Sequence, residues 1–168
     1  EEIDKVYSAL LNPLMLAGSP KEVIKGLSEI NSSLSPDDNS ELAKVARSSV
    51  ITHTNWVVVN AMRQSIRQKW RKFFENYDVI LSPTTMVTAF KHNHDPVHDR
   101  KLIVNGKDQE YLMVTLWAGP AVMAGPPSTN VPIGFSQNNL PIGMQIVGPY
   151  LEDKTCLEVA KIVRDLNG

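Results

Sequence analysis

The chain has 168 residues, 42% of them apolar and 21% charged, and its 17 Lys and Arg against 18 Asp and Glu leave a formal net charge of −1. That length and composition suit one ordinary globular domain, or a small domain with an appended segment. They exclude a disordered chain and a nucleic-acid binder that works through bulk charge; with Cys156 the only cysteine, a disulfide scaffold is excluded too.

The longest apolar runs, such as Trp56-Val57-Val58-Val59 and Val79-Ile80-Leu81, fall far short of the roughly 20 residues that span a bilayer. Neither a membrane nor a nucleic acid is therefore an expected partner. Near-neutral charge and a lone cysteine fit a cytoplasmic setting. The N-terminus, Glu1-Glu2-Ile3-Asp4-Lys5, has no signal-peptide pattern and no methionine. The expectation is a cut end within a longer protein.

Three of the 11 prolines precede residue 83, and eight lie from Pro83 onward; of nine glycines, only Gly18 and Gly26 fall in the first half. The first half (1–76) therefore reads as mainly helical and the second (77–168) as strands, loops and a closing helix. Ile3, Val6, Leu10, Leu14 and Ala17 recur at helical spacing and predict a helix, with Pro13 as a point of kinking or early ending. Ser19-Pro20 predicts an N-cap followed by proline in the first turn of a helix to about Ile30. Asn31 to Asn39 is a polar turn. Ser40 or Asp38 caps a third helix through Leu42, Val45, Ala46 and Ser49.

A long helix is expected from about Thr54 to Asn76. Its apolar stripe is Val59, Met62, Ile66, Trp70, Phe73 and Phe74, read as core because it follows the helical period. Arg63, Arg67, Lys69, Arg71 and Lys72 form a basic face, either solvated or able to touch phosphate or lipid.

Val79-Ile80-Leu81, ended by Ser82-Pro83, predicts a buried central strand. Phe90 to Arg100 is a polar loop. Asn105-Gly106 predicts a hairpin, since both residues tolerate the positive φ of its turn. A short helix covers Tyr111 to Ala118. Strands are expected at Ser128 to Phe135 and at Ile142 to Val147. In the last strand Ile142, Met144 and Ile146 face one way, and Gly143, Gln145 and Val147 the other. Gln145 is thus a half-buried amide that needs partners. Asp153 can cap a final helix with Leu157, Ala160, Val163 and Leu166 partly inside.

Self-contained catalytic motifs are absent: no nucleophile elbow, phosphate loop, dinucleotide fingerprint or zinc-protease helix occurs. His92, His94 and His98, with Asp95 and Asp99 among them, could bind zinc if a third ligand converged, but a loop with Pro96 and no cysteine is the simpler reading, so no metal site is assigned. Cys156 is read as a small apolar filler between helix and sheet. Thr84 and Thr85 follow the carboxyl end of a strand, where open α/β sheets place ligands. Trp117 precedes a Gly-Pro-rich segment and either lines a pocket or closes the core.

Three ordered segments carry a family resemblance. Tyr77 to Thr85, Ala124 to Phe135 and Leu140 to Pro149 resemble consecutive motifs of the amidase signature family, and Glu152-Asp153 with the following helix fits as well. His92-Asn93-His94-Asp95, Val104-Asn105-Gly106 and Trp117 are similar to a bacterial subgroup. The resemblance covers about Asn55 to Leu166. Pro126 replaces the usual aliphatic residue before Pro127, and Asn139 stands where glycine is common before Leu140.

The resemblance implies an α/β fold in which this chain is the closing part of a single amidase domain: a helical half, a few strands of a mixed sheet, and a C-terminal helix. It implies hydrolysis of carboxamides without a cofactor, through a Ser–cis-Ser–Lys triad in which a base activates a weak nucleophile and backbone donors hold the oxyanion. The triad belongs to earlier parts of the family's chain. Ser32-Ser33 and Ser48-Ser49 are the only serine pairs here, and neither has the glycines of the signature loop. No catalytic residue is assigned. Thr84, Thr115 and Trp117 are the expected contacts for a small-molecule amide. The partner is the remainder of the amidase chain, or another copy met through open sheet edges. The alternative is a non-catalytic interaction module derived from this fold.

Overall fold

A computed structural model describes residues 2–167, with the side chains of Glu2, Asp4 and His98 outside the described set. The chain divides between Ser65 and Ile66 into two compact units.

The first unit is helical. It holds α1 (Glu2–Leu16), α2 (Lys21–Ser33), α3 (Glu41–Ser49) and the beginning of α4 (His53–Phe73). Both α1 and α2 pack on α3. Val6, Leu10, Ala43 and Ala46 are buried there. The two alanines carry no side chain beyond Cβ, so they permit close helix approach. Pro13 does not end α1, which continues to Leu16. Pro20, not Ser19, occupies the N-cap of α2. Its carbonyl accepts the Val23 N–H at 3.0 Å. A proline there gives up only an N–H that the helix does not use.

Ser40 caps α3 as expected, its Oγ accepting the Ala43 N–H at 3.2 Å. Asp38 supports that cap by accepting the Ser40 N–H at 2.9 Å. This backbone hydrogen bond, aided by the Ser40 side chain and the nearby Arg47 charge, holds the Asp38 carboxyl below its ordinary range. The Arg47 guanidinium donates to the carbonyls of Ser35, Pro36 and Asp38, which organises the α2–α3 turn.

The second unit contains the rest of α4, β1 (Ile80–Pro83), the hairpin β2 (Lys101–Val104) and β3 (Lys107–Glu110), α5 (Gly119–Ala124), β4 (Ser128–Phe135), β5 (Pro141–Val147) and α6 (Asp153–Asn167). A 3₁₀ segment, Tyr111–Ala118, occupies the place of the expected short helix. Asn105 and Gly106 take φ of 51° and 76°, the turn that their sequence predicted.

The main sheet has the order β1-β5-β4. Both pairings are antiparallel, so among the described residues the strands of the expected mixed sheet include no parallel pair. β1 is also not central: it lies at an edge, and Leu81 is 53% exposed. The run Val79-Ile80-Leu81 is apolar on both sides, as in a strand covered on both faces, but the Leu81 side has little cover here. A bulge between Pro132 and Gly134 bends β4. Asn139 adopts φ of 57° in the β4–β5 turn, a conformation that asparagine tolerates better than most residues. The substitution of asparagine for glycine at this point is thus conformationally accommodated.

α6 covers one face of the sheet. Its inward row is Cys156, Val159, Ala160 and Val163, packed with Val79, Val131, Met144 and Ile146. Leu157 and Leu166, expected inside, point outward at 50% and 81% exposure. The helical period counted from Cys156 explains the shift, because positions 156, 159, 160 and 163 share a stripe. The α4 stripe is corrected similarly. Ile66 is buried, but Phe73 is 37% exposed. The rings of Trp70 and Phe74 stack at 5.6 Å and those of Phe73 and Tyr77 at 4.5 Å, so the aromatics contact one another.

Gly148 is a steric requirement of the α6 contact: a Cβ there would lie 2.6 Å from Cys156 Sγ. The thiol is fully buried and faces the Pro127 carbonyl at 3.5 Å. Burial pushes its pKa up, so it resists ionisation. Gly148→Ala is expected to destabilise the protein by about 1–3 kcal/mol through overpacking. In urea denaturation, adding Cys156→Ala should recover part of that loss; purely additive effects would show that the two sites do not touch.

Candidate functional site

The face of the sheet opposite α6 carries a polar row next to the buried Val147. Ser82 on β1, Gln145 on β5 and Asn130 on β4 stand side by side in register. Gln145 is buried at 5% exposure. Its Nε2 donates to Ser82 Oγ at 3.3 Å and to the Trp117 carbonyl at 2.9 Å. The expected need of this amide for partners is met from two directions. One bond reaches along the sheet, and the other reaches up to the 3₁₀ segment.

Thr84 follows β1. Its hydroxyl donates to Asn130 Oδ1 at 2.8 Å, across the position of Gly143. A Cβ on Gly143 would lie 2.8 Å from Thr84 Oγ1, so glycine is what admits this bridge. Thr85 donates to the Val114 carbonyl at 3.3 Å. Side-chain bonds to backbone carbonyls, from Thr85 and Gln145, thus fix the 3₁₀ segment over the polar face. The segment cannot hold itself as an α-helix would, because runs of 3₁₀ have poorer hydrogen-bond geometry.

The expected contacts are therefore only partly assembled. The segments bearing Thr84, Thr115 and Trp117 come together through Gln145 and Thr85. Trp117 is half-buried and offers its carbonyl to Gln145. Thr115 is exposed, and its hydroxyl turns back to the Leu112 carbonyl at 3.2 Å. Ser82, Asn130 and Gly143 were not singled out from sequence. Their strand alternation is visible there, but their adjacency depends on cross-strand register.

Other candidates resolve plainly. Ser32, Ser33, Ser48 and Ser49 all donate to carbonyls of their own helices. Such back-bonding is the usual fate of a helical serine. The rings of His92 and His94 lie parallel at 6.3 Å. Among the described residues no group of three His, Cys, Asp or Glu converges on a metal position; the His98 side chain lies outside the described residues. In the basic row of α4, Arg67 is not merely solvated. Its Nε donates to the Ala124 carbonyl at 3.0 Å, and its guanidinium lies 4.9 Å from the centre of the Tyr150 ring. It thereby holds the end of α5, where Gly125 turns the chain at φ of 77°. Among the described residues no helix is long and apolar enough to cross a membrane.

The described residues thus combine helices with small antiparallel sheets. The model of the Amidase family matches residues 37–157, well over half of the chain. The chain belongs to the amidase signature family. It is 37% identical over 101 residues to a glutamyl-tRNA(Gln) amidotransferase subunit of Halothermothrix orenii, covering 59% of this chain and 19% of that one. The corresponding subunit of Brevibacillus brevis is 40% identical over 102 residues, covering 59% and 18%. A solved amidase structure superposes with a TM-score of 0.67 at 20% identity, over 99% of this chain and 36% of that chain. The corresponding amidotransferase subunit of Thermotoga maritima superposes with a TM-score of 0.60 at 24% identity, over 95% and 32%. The chain thus spans about a fifth of the length of the curated relatives it matches.

Gln145→Leu is expected to cost about 1–3 kcal/mol, because the Trp117 carbonyl loses its buried donor. Amide hydrogen exchange should accelerate over residues 111–118. Unchanged exchange there would show that Gln145 does not hold the segment.

Proposed function

We propose that this chain is the closing part of an amide hydrolase that converts a carboxamide to a carboxylate plus ammonia or an amine. The family match over residues 37–157 carries this reading. The nucleophile and base, of the Ser–cis-Ser–Lys type, come from residues beyond these 168. The chain by itself is inactive. It supplies sheet strands, the closing helix α6, and one wall of the substrate pocket from Thr84, Thr115 and Trp117. The amide group of a substrate needs donors and acceptors fixed in advance. The rigid tether of the 3₁₀ segment by Gln145 and Thr85 suits that demand.

The remainder of the amidase domain is the proposed partner. Support comes from β1, whose outer edge has no strand partner among the described residues, and from Leu81 beside it at 53% exposure. The same edges favour a second reading: a non-catalytic module that pairs with another chain.

Three measurements test these readings, and the third separates them. The purified 168-residue chain should release no ammonia from amides; genuine turnover would overturn the placement of the nucleophile elsewhere. Light scattering should show self-association of that chain, whereas a stable monomer at low concentration would count against open-edge pairing. In the complete enzyme, Trp117→Ala should change the ratio of kcat/KM between small and bulky amides by about tenfold. Equal ratios across several amides would remove Trp117 from the pocket.

A further inference from the structure

An open groove enclosing about 990 Å³ lies between residues 87–94, the start of β2 and Tyr111. That volume is at the upper end of small-ligand sites. Its lining includes Lys91, His92, His94, Arg100 and Lys101, and no Asp or Glu is among the described residues that line it. The concentration of donors is local, since the whole chain carries a formal charge of only −1.

Acidic residues are close in sequence but are not among the residues that line this space. Asp95 meets Arg100 through its backbone carbonyl, which accepts from Nε at 2.7 Å. Glu110 stands opposite Lys101 in the hairpin, and Asp99 ends the short 3₁₀ turn Val97–Asp99. None of the three lines the groove.

Arg100 is held in advance. Besides the bond to Asp95, its guanidinium lies 5.3 Å from the centre of the Tyr111 ring. The Tyr111 N–H donates to the Arg100 carbonyl at 3.2 Å, and the Tyr111 ring meets Phe90 edge-on at 6.1 Å. A planar guanidinium fixed in this way loses little freedom on meeting an oxyanion. Three permanent cations repel a metal ion. A single carboxylate would satisfy only some of these donors, whereas the several oxygens and multiple charge of a phosphate can engage them together.

We infer that this groove binds a small phosphate-bearing anion through Lys91, Arg100 and Lys101, with His92 and His94 as further donors. The inference goes beyond the amide reading and does not depend on it. Tyr111 offers a flat surface to whatever organic group carries the phosphate.

The test is calorimetric titration of the complete protein with inorganic pyrophosphate. Binding should be measurable at or below millimolar concentration and weaken as salt rises. Lys91→Met with Arg100→Gln should weaken it by about tenfold or more. Lys91→Met alone, at an exposed loop position, is the safeguard if the double variant fails to fold, and should still weaken binding severalfold. Lys161→Gln on α6, outside the groove, should leave binding unchanged. Absence of pyrophosphate binding, or binding that survives Lys91→Met unaltered, would overturn the inference. So would a single-stranded oligonucleotide that binds about tenfold more tightly than pyrophosphate, since the surface would then serve a polymer.

Discussion

The buried side-chain amide of Gln145 governs the second unit. Taking a primary amide out of water costs about 2–7 kcal/mol when its hydrogen bonds are not replaced. Here Nε2 has two acceptors, Ser82 Oγ and the Trp117 carbonyl. β5 is the middle strand of the β1-β5-β4 sheet. A bond from its centre therefore reaches an edge strand and the overlying 3₁₀ segment at once. Any shift of β1 by one residue would present Leu81 or Pro83 in place of Ser82 and strand the amide. Register and segment position are thus coupled through one side chain.

The two faces of β5 are built by opposite means. Toward α6, apolar packing closes the contact, with Ile146 and Cys156 fully buried. Toward the 3₁₀ segment, discrete polar bonds from Gln145 join the buried Val147. Each face needs a glycine at a point of close approach. Gly143 makes room for the Thr84–Asn130 bridge, and Gly148 makes room for the Cys156 thiol. Packing without directional bonds tolerates sliding, whereas a bonded polar layer does not. The directional bonds consequently fix position on the side that carries Thr84 and Trp117.

The chain belongs to the amidase signature family. The chain matches a limited stretch of its longer relatives. Leu81 on the edge strand is exposed, and ring contacts link Trp70, Phe73, Phe74 and Tyr77. The groove beside Tyr111 has a different character: its lining sets cations among apolar residues such as Phe90, Leu102 and Ile103, and its guanidinium is already anchored.

Local signals in the sequence were sufficient for much of this protein. The Ser40 cap, the Asn105-Gly106 turn, β4 at Ser128–Phe135 and the family motifs could be read directly, because each depends on residues close together in the chain. The need of Gln145 for partners was also legible, from strand alternation alone. Its partners were not. Ser82 and Trp117 lie 63 and 28 residues away; cross-strand register brings the first to the amide, and the placement of the 3₁₀ segment brings the second. The inward stripe of α6 could not be chosen between Leu157 and Val159 until the sheet surface was known. The edge position of β1 escaped for the same reason: an apolar run reports what both faces of a strand could bury, not which neighbours are present. Sequence by itself determined the elements and the family, since those follow from short-range pattern. Tertiary structure decided which polar groups meet and which faces stay open, since those follow from contacts between residues far apart in the chain.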